Sequence, residues 1–248
     1  MTTLDLSPGA FEYLLAFADD EHLMGARHTS WIGIAPFLEE DLAFCSIAQD
    51  ELGHAISLYE LLTDDVDSFA LCREPDAYRS CWLVELPCWD WADALVRHVM
   101  YDLGETIRWN ALGSLPELQA IAGRAQREEA FHIAHASIML GRMLDAGGLA
   151  AEQVVASTDQ LLPIAVALWE PVAGEDAALA EGVALRASAA SAELWWSALA
   201  TLYTSHGVTL QRPAAVTGQH GRRSRSVHFA DLQAEITKVI NLDRRAVW

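Results

Sequence analysis

Apolar residues spaced three and four positions apart fill long runs of this sequence, and that spacing is the period of an α-helix. Within residues 37–62 the apolar positions are Leu38, Leu42, Cys45, Ala48, Leu52, Ala55 and Leu58. Prolines open several runs and glycines close others, at Pro8, Pro36, Pro116, Gly147 and Gly207. Strict alternation of apolar and polar residues, which is typical of a strand, is almost absent. The sequence therefore predicts an all-α chain.

The same boundaries predict seven long helices. Their approximate ranges are 9–33, 37–62, 89–114, 117–148, 151–173, 176–207 and 228–242. Residues 64–88 are irregular and predict a long connection with a short helix near 76–81. Helices two and four each follow another long helix, which indicates two helical hairpins and an antiparallel bundle. No compositional linker divides the chain, so we expect one domain over residues 1–248.

The formal net charge of −19 constrains the partners of the protein. An acidic surface repels nucleic acid and anionic membranes, so we expect neither as a partner. The sequence has no run of about eighteen apolar residues that could span a membrane, and its N-terminus lacks the pattern of a signal peptide. We therefore expect a cytoplasmic protein with reduced, mostly packed cysteines. These are Cys45, Cys72, Cys81 and Cys88.

Two Glu-x-x-His motifs lie in the middle of predicted helices two and four. They are Glu51 with His54, and Glu129 with His132. Random placement of 18 glutamates and 9 histidines in 248 residues gives about 0.65 such matches, so the number of motifs alone means little. Their placement carries more weight, because three residues are nearly one helical turn and both side chains share a face.

Each motif follows a helix that carries an acidic residue. Glu21 precedes the first motif and Glu105 the second, with Asp102 as a substitute for Glu105 on the same face. A four-helix bundle holds two metal ions with one Glu from each of two helices and Glu-x-x-His from each of the other two. The predicted metal ligands are Glu21, Glu51, His54, Glu105, Glu129 and His132. Iron and manganese both accept such a set. The alternative is a solvated or capped acid–histidine pair on each helix without a metal.

Further polar residues border these motifs. Asp50, Asp102, Glu128 and His135 are candidates for an outer layer that orients the ligand imidazoles; Glu128 could pair with His132 one turn away. The alternative is exposure at the edge of the apolar stripe. Close to the C-terminus, Arg222, Arg223 and Arg225 form a basic cluster in an acidic chain. This cluster could bind phosphate groups or an acidic partner, or it could be a solvated loop.

Several segments resemble the PaaC-type, non-catalytic subunits of the multicomponent phenylacetyl-CoA epoxidases of aerobic phenylacetate degradation. The first is WIGIAPFLEEDLAFCSIAQDELGHA, with Trp31, Gly33, Ala35, Pro36, Leu38, Glu39, Asp41 and Ala43. The second has Leu83, Val84, Glu85, Pro87, Asp90, Ala92 and Asp93. The third is EEAFHIAHA, and the closing segment has Thr217, Gly218, His228, Leu232 and Glu235. The resemblance covers nearly the whole chain, and its weight comes from the combination of segments.

This resemblance implies a ferritin-like four-helix bundle with additional C-terminal helices. It implies a homologous catalytic oxygenase subunit as partner, which holds a di-iron site and epoxidises the ring of phenylacetyl-CoA. A reductase component and a CoA thioester substrate follow at the level of the complex. Such subunits are usually structural because their ligands have decayed, yet here Glu51 and His54 stand where relatives tend to carry apolar or amide residues.

Three hypotheses follow from that difference. The preferred one is a component of such an epoxidase that supports the catalytic subunit and holds its own two iron ions. The second is a self-sufficient di-iron oxidase or oxygenase. The third is a metal-free scaffold subunit.

Overall fold

A computed structural model describes residues 3–214 and 222–243 of the chain. The described residues form ten α-helices and no β-strand, which confirms the predicted all-α class. The helices are α1 Pro8–Thr29, α2 Leu38–Tyr59, α3 Val66–Leu71, α4 Trp82–Glu85, α5 Trp91–Trp109, α6 Pro116–Ala146, α7 Gly148–Ala165, α8 Glu175–Ala180, α9 Ser188–Ser205 and α10 Phe229–Ile236. Two 3₁₀ turns lie at Pro75–Ala77 and Val166–Trp169. Thr217 and Gly218 of the closing segment lie outside the described residues.

Four long helices, α1, α2, α5 and α6, form the bundle, which is consistent with a ferritin-like fold. α1 packs along α2, α5 packs along α6, and α2 contacts α6 between the two pairs. Each pair is joined by a short connection, so its helices run antiparallel. α7 and α9 cover the outer side of α5.

Local capping fixes where these helices begin and end. Ser7 accepts a hydrogen bond from the Ala10 amide at 3.3 Å, directly before a proline at the first position of α1. Asp90 caps α5 by accepting from the Asp93 amide at 2.9 Å. α6 ends at Gly147, whose φ of 67° is in the left-handed region that favours glycine.

The predicted segments over 176–207 and near 76–81 differ most from the structure, and the last helix is shorter than predicted, ending at Ile236. The predicted helix over 176–207 is split into α8 and α9, because Gly182 has a φ of 72° and its carbonyl accepts from the Ser114 amide at 2.9 Å. The short helix predicted near 76–81 is replaced by an extended stretch after the 3₁₀ turn. There Asp19 accepts from the Arg79 amide and Asp20 from the Cys81 amide, both at 2.6 Å. These long-range bonds take the amides that a helix would use.

Two apolar clusters occupy opposite halves of the bundle. One contains Leu14, Phe17 and Trp109 among its buried side chains. The other contains Met24 and Leu140. On each bundle helix, a buried polar layer lies in the middle region. The fold therefore places its most polar buried residues at the centre of the bundle.

Two further observations bear on the sequence predictions. No helix in the described ranges is both long and apolar enough to cross a membrane. The four cysteines are free; Cys81 is buried, Cys72 is exposed, and Cys45 and Cys88 are half-buried.

Candidate metal centre

The six residues predicted as metal ligands lie together in the polar layer. α1 contributes one of them, α2 two, α5 one and α6 two. They are Glu21, Glu51, His54, Glu105, Glu129 and His132. Five of the side chains have no exposed surface, and His54 is 2% exposed. The one-turn spacing of each Glu-x-x-His pair directs both side chains to the interior.

The ligand atoms form three overlapping groups, each with all atoms within 4.8 Å of one another. The groups are Glu21, His54 and Glu105; Asp102, Glu129 and His132; and Glu51, Asp102 and Glu105. The first two groups each combine one imidazole with two carboxylates, which is a suitable donor set for iron, manganese or zinc. The third shares a carboxylate with each of the others and therefore lies between them.

Asp102 belongs to this centre more directly than the sequence indicates. The sequence predicts it as an outer residue or as a substitute for Glu105, but its carboxylate is a member of two of the three groups, one of which also contains Glu105. It precedes Glu105 by three positions on α5, so the two side chains point to the same interior space. The structure therefore brings together five carboxylates and two imidazoles.

Many polar atoms of the centre are buried without a hydrogen-bond partner. Among the described residues, this holds for both carboxylate oxygens of Glu51, Asp102 and Glu129, for Glu105 Oε2 and for His132 Nδ1. An unpaired buried polar group costs about 1–3 kcal/mol, and a charged one costs more. Two divalent cations would pair with these atoms and offset most of the five negative charges. The donor set therefore fits a dinuclear metal site.

Without a metal ion, the buried carboxylates of the centre repel one another, and this repulsion shifts their pKa values. Burial, together with the neighbouring charge of Glu105, raises the pKa of Glu21, Glu51 and Glu129 well above the ordinary value. Burial opposes the charged form of His54, but hydrogen bonds with Glu105 and Glu21 outweigh it and raise its pKa to about 11. Both carboxylates lie 3.3 Å from His54 Nδ1. Without metal, protons on the imidazole and carboxyl groups therefore offset part of the negative charge that metal ions would otherwise offset.

Metal binding is expected to tighten as the pH rises, because a cation must displace these protons. Because the pKa of His54 is raised to about 11 and the pKa values of Glu21, Glu51 and Glu129 are raised above the ordinary value, protons compete with a metal ion for these ligands. Each proton released makes binding about tenfold tighter per pH unit between about pH 5.5 and about pH 7.5. Cobalt titrations across this range, with calorimetry in two buffers, measure the effect. An affinity that does not change with pH would contradict the proton displacement.

Each of the two helices that carry a Glu-x-x-His motif, α2 and α6, also carries an outer carboxylate that contacts the imidazole on the other helix. Glu128 on α6 lies 2.8 Å from His54 Nε2 on α2, and Asp50 on α2 lies 3.3 Å from His132 Nε2 on α6. The suggested pairing of Glu128 with His132 is wrong, because His132 turns Nε2 towards Asp50 and Nδ1 towards Glu129. Each imidazole therefore keeps Nδ1 towards the centre while a carboxylate of the opposite helix accepts from Nε2.

Removing either outer carboxylate is expected to weaken metal binding about 10–100-fold, because the imidazole loses the partner that fixes its tautomer and orientation. The variants are Asp50→Asn and Glu128→Gln, with Glu152→Gln on the exposed side of α7 as the matched control. Competition between the protein and a coloured chelator measures affinity. Unchanged affinity in both variants would show that these contacts do not support the centre.

Three histidines form a second layer on the other side of the centre. His98 Nδ1 lies 3.0 Å from Asp102, and His28 Nδ1 lies 3.1 Å from Glu51, both without good hydrogen-bond alignment. His135 Nδ1 lies 3.5 Å from His98 Nε2, while its Nε2 lies 2.9 Å from Glu40. Within the described residues, the predicted outer residue His135 is linked to the centre through His98.

Sequence reasoning misses both His28 and His98. The spacing of His98 and Asp102, one turn apart on α5, is an available signal, whereas His28 is placed only by the packing of α1 on α2. Burial lowers the pKa of His98 to about 3 and that of His28 well below its usual range, so both imidazoles are neutral.

Comparison with known proteins identifies the family of the chain. The family model described as "Phenylacetic acid catabolic protein" matches residues 3–248. The chain belongs to this family. It is 26% identical over 180 residues to a subunit of the 1,2-phenylacetyl-CoA epoxidase of Escherichia coli (strain K12), an alignment that covers 70% of this chain and 73% of the relative. The resemblance inferred from the sequence is confirmed.

The basic cluster of this family member is largely engaged inside the protein. Arg222 is 3% exposed, and its Nη1 donates to Asp20 at 2.6 Å. Arg225 Nη1 donates to Glu85 at 2.6 Å. Of the three arginines, only Arg223 is exposed. Arg222 and Arg225 therefore pair with internal carboxylates, which matches neither a cluster open to phosphate or an acidic partner nor a fully solvated loop.

Proposed function

We propose that this chain is a component of a phenylacetyl-CoA epoxidase-type oxygenase and that it holds two iron ions of its own. The observation that carries the proposal is the complete set of seven buried ligand residues, with both Glu-x-x-His motifs intact. The name of the Escherichia coli relative supports the activity of the complex. Manganese is the other metal that suits this set.

The chain's own residues hold and orient the ligands. Glu21, His54 and Glu105 would bind one ion, and Asp102, Glu129 and His132 the other; an iron pair supplies redox chemistry with dioxygen when bound. The Tyr101 hydroxyl donates to Glu21 at 2.8 Å. The Trp109 indole N–H donates to Glu105 at 3.0 Å. These bonds fix two buried carboxylates, one on each of α1 and α5.

An exposed apolar face supports association with a partner. The start of α2 exposes Leu38 and Leu42, at 70% and 63%, and the middle of α6 exposes Phe131 and Ile138, at 54% and 55%. The contact of His135 with Glu40 joins the two stretches. Contiguous exposed apolar surface is typical of an interaction site. We assign this face to the homologous catalytic subunit; the reductase and the CoA thioester act at the level of the complex.

Metal analysis tests the metal centre. Protein reconstituted with ferrous iron without oxygen is expected to hold about two iron ions per chain. Air oxidation is expected to give the absorption bands of ferric ions with carboxylate ligands. A ratio well under one iron per chain after reconstitution would refute the metal centre and leave the metal-free scaffold.

Copurification tests the partnership. The chain is expected to copurify with the homologous catalytic subunit, and Leu42→Asp is expected to weaken the complex about tenfold or more. Leu194→Asp, at an exposed position of α9, is the matched control. Absence of a complex with the unchanged protein would count against the role as a component. Turnover without any partner would favour the self-sufficient oxygenase, which the complete ligand set also supports.

A further inference from the structure

A cavity lies beside the candidate metal centre, between α2 and the first half of α6. Its volume is about 380 Å³, and it opens to the surface. The lining residues are His54, Ser57, Glu117, Ala120, Ile121 and Arg124. Its wall is mostly apolar, and its volume suits a small organic ligand. His54 is the residue through which this cavity touches the centre.

Arg124 offers unused donors at the edge of the cavity. Its side chain is 56% exposed, and its Nε donates to Glu128 at 3.0 Å. Neither Nη group has a hydrogen-bond partner among the described residues. Arg124 also reaches across to α2, since a Cβ on Gly53 would lie 3.6 Å from its Nη2. A planar guanidinium with two free N–H groups is suited to a carboxylate held by paired bonds.

Arg124 is linked to the metal centre by a short chain of contacts. Glu128 accepts from Arg124 through Oε1 and contacts His54 Nε2 through Oε2 at 2.8 Å. His54 Nδ1 in turn faces Glu21 and Glu105 at 3.3 Å. A carboxylate bound to the Nη groups of Arg124 shares the guanidinium charge with Glu128 and therefore weakens the bond that holds the partner of His54.

We propose that this cavity binds a small monocarboxylic acid with an apolar body, and that its occupancy is transmitted to the metal centre through Glu128 and His54. The carboxylate binds the free Nη groups of Arg124, and the apolar body packs on Ala120 and Ile121. Glu117 is also among the residues that line the cavity. Like charges in one cavity repel, so Glu117 selects against dicarboxylates and phosphate esters.

The two parts of this proposal have different foundations. Ligand binding depends only on the cavity and Arg124, and it is measurable in protein without metal. Transmission to the centre rests on the proposed function, because it requires a bound metal. The experiment therefore treats the two parts separately.

Calorimetry with metal-free protein tests binding, using phenylacetate, phenylacetamide and acetate as probes. Phenylacetate is expected to bind. Phenylacetamide, which lacks the carboxylate, and acetate, which lacks the apolar body, are expected to bind at least about tenfold more weakly. Arg124→Gln is expected to weaken phenylacetate binding about 10–100-fold, the loss of a charge-assisted pair. Arg127→Gln, at an exposed arginine one turn along α6, is the control and should bind like the unchanged protein.

Two sets of variants test the role of Arg124 and the role of the cavity separately. Equal binding of phenylacetamide, or unchanged binding by Arg124→Gln, would overturn the role of Arg124. Ala120→Trp fills the cavity at an exposed position and leaves the guanidinium in place. Loss of phenylacetate binding in this variant supports the cavity, and unchanged binding overturns it.

Cobalt-loaded protein tests the transmission. Phenylacetate is expected to shift the visible cobalt spectrum of the unchanged protein but not that of Arg124→Gln. An unshifted spectrum with phenylacetate bound would overturn the transmission alone. If cobalt does not bind at all, the metal centre of the proposed function fails and the transmission fails with it, while the calorimetric result for the cavity stands.

Discussion

Replacing Glu51 by glutamine is expected to weaken metal binding by several orders of magnitude while making the metal-free protein more stable. Both oxygens of Glu51 are buried without a hydrogen-bond partner among the described residues, and burial with the charge of Glu105 raises its pKa. The folded protein therefore keeps a proton that the unfolded chain releases above the ordinary pKa of 4.5. This lowers the free energy of unfolding as the pH rises. Glutamine removes the proton and its cost, but it supplies no anionic ligand.

Urea unfolding of metal-free protein measures the stability half of this prediction. The variant is expected to gain about 1–3 kcal/mol at neutral pH, because its folded state no longer has to keep the proton that the raised pKa of Glu51 requires. The gain should shrink as the pH falls and disappear well below pH 4.5, where the carboxyl group is protonated in both states. Metal titration of the same samples measures the other half, with Glu152→Gln as the control. A less stable variant that binds metal normally would refute the assigned role of Glu51.

Replacing Asp20 by alanine is expected to destabilise the protein by about 3–5 kcal/mol, because it leaves buried guanidinium groups without their partner. Asp20 has no exposed surface and accepts from Arg222 at 2.6 Å and from Arg108 at 2.7 Å. Burial opposes its charge, but these two arginines outweigh burial and lower its pKa. The bonds join α1, α5 and the segment at Arg222, next to the candidate ligand Glu21.

Thermal and urea unfolding at neutral pH measure this loss. The sign of the pKa shift sets its pH range: a lowered pKa stabilises the fold above the ordinary value of 3.8, and this stabilisation is lost as the pH falls through the lowered value. The difference between the variant and the unchanged protein should therefore shrink in strong acid. Glu235→Gln, whose partner Lys238 is exposed, should change stability by less than about 0.5 kcal/mol. A loss at Asp20 as small as at Glu235 would show that the buried pair contributes little.

The buried set of candidate ligands separates this chain from the expectation for a structural subunit. Glu51 and His54 are buried and face Glu105, Glu129 and Glu21, so they are placed as ligands would be. A subunit that only supports a partner has no need for five inward carboxylates, since apolar residues of similar size would stabilise the bundle better. The Glu51→Gln variant tests this difference directly, through metal affinity and stability.

Local sequence was enough to predict the helical class and most of the centre. Helical period and capping are properties of neighbouring residues, so the runs around α1, α2, α5 and α6 could be predicted without knowledge of the packing. The one-turn spacing of each Glu-x-x-His motif also fixed which side chains share a face. These local rules selected the six candidate ligands.

How the helices meet depended on tertiary packing alone. The contacts of Glu128 with His54 and of Asp50 with His132 depend on the distance between α2 and α6 and on their rotation. The same is true of Asp102, which the packing of α5 places in two of the three groups. The burial of Arg222 against Asp20 joins residues 202 positions apart. Such contacts have no local signal, because a residue's own turn does not specify which distant side chain will share its buried space.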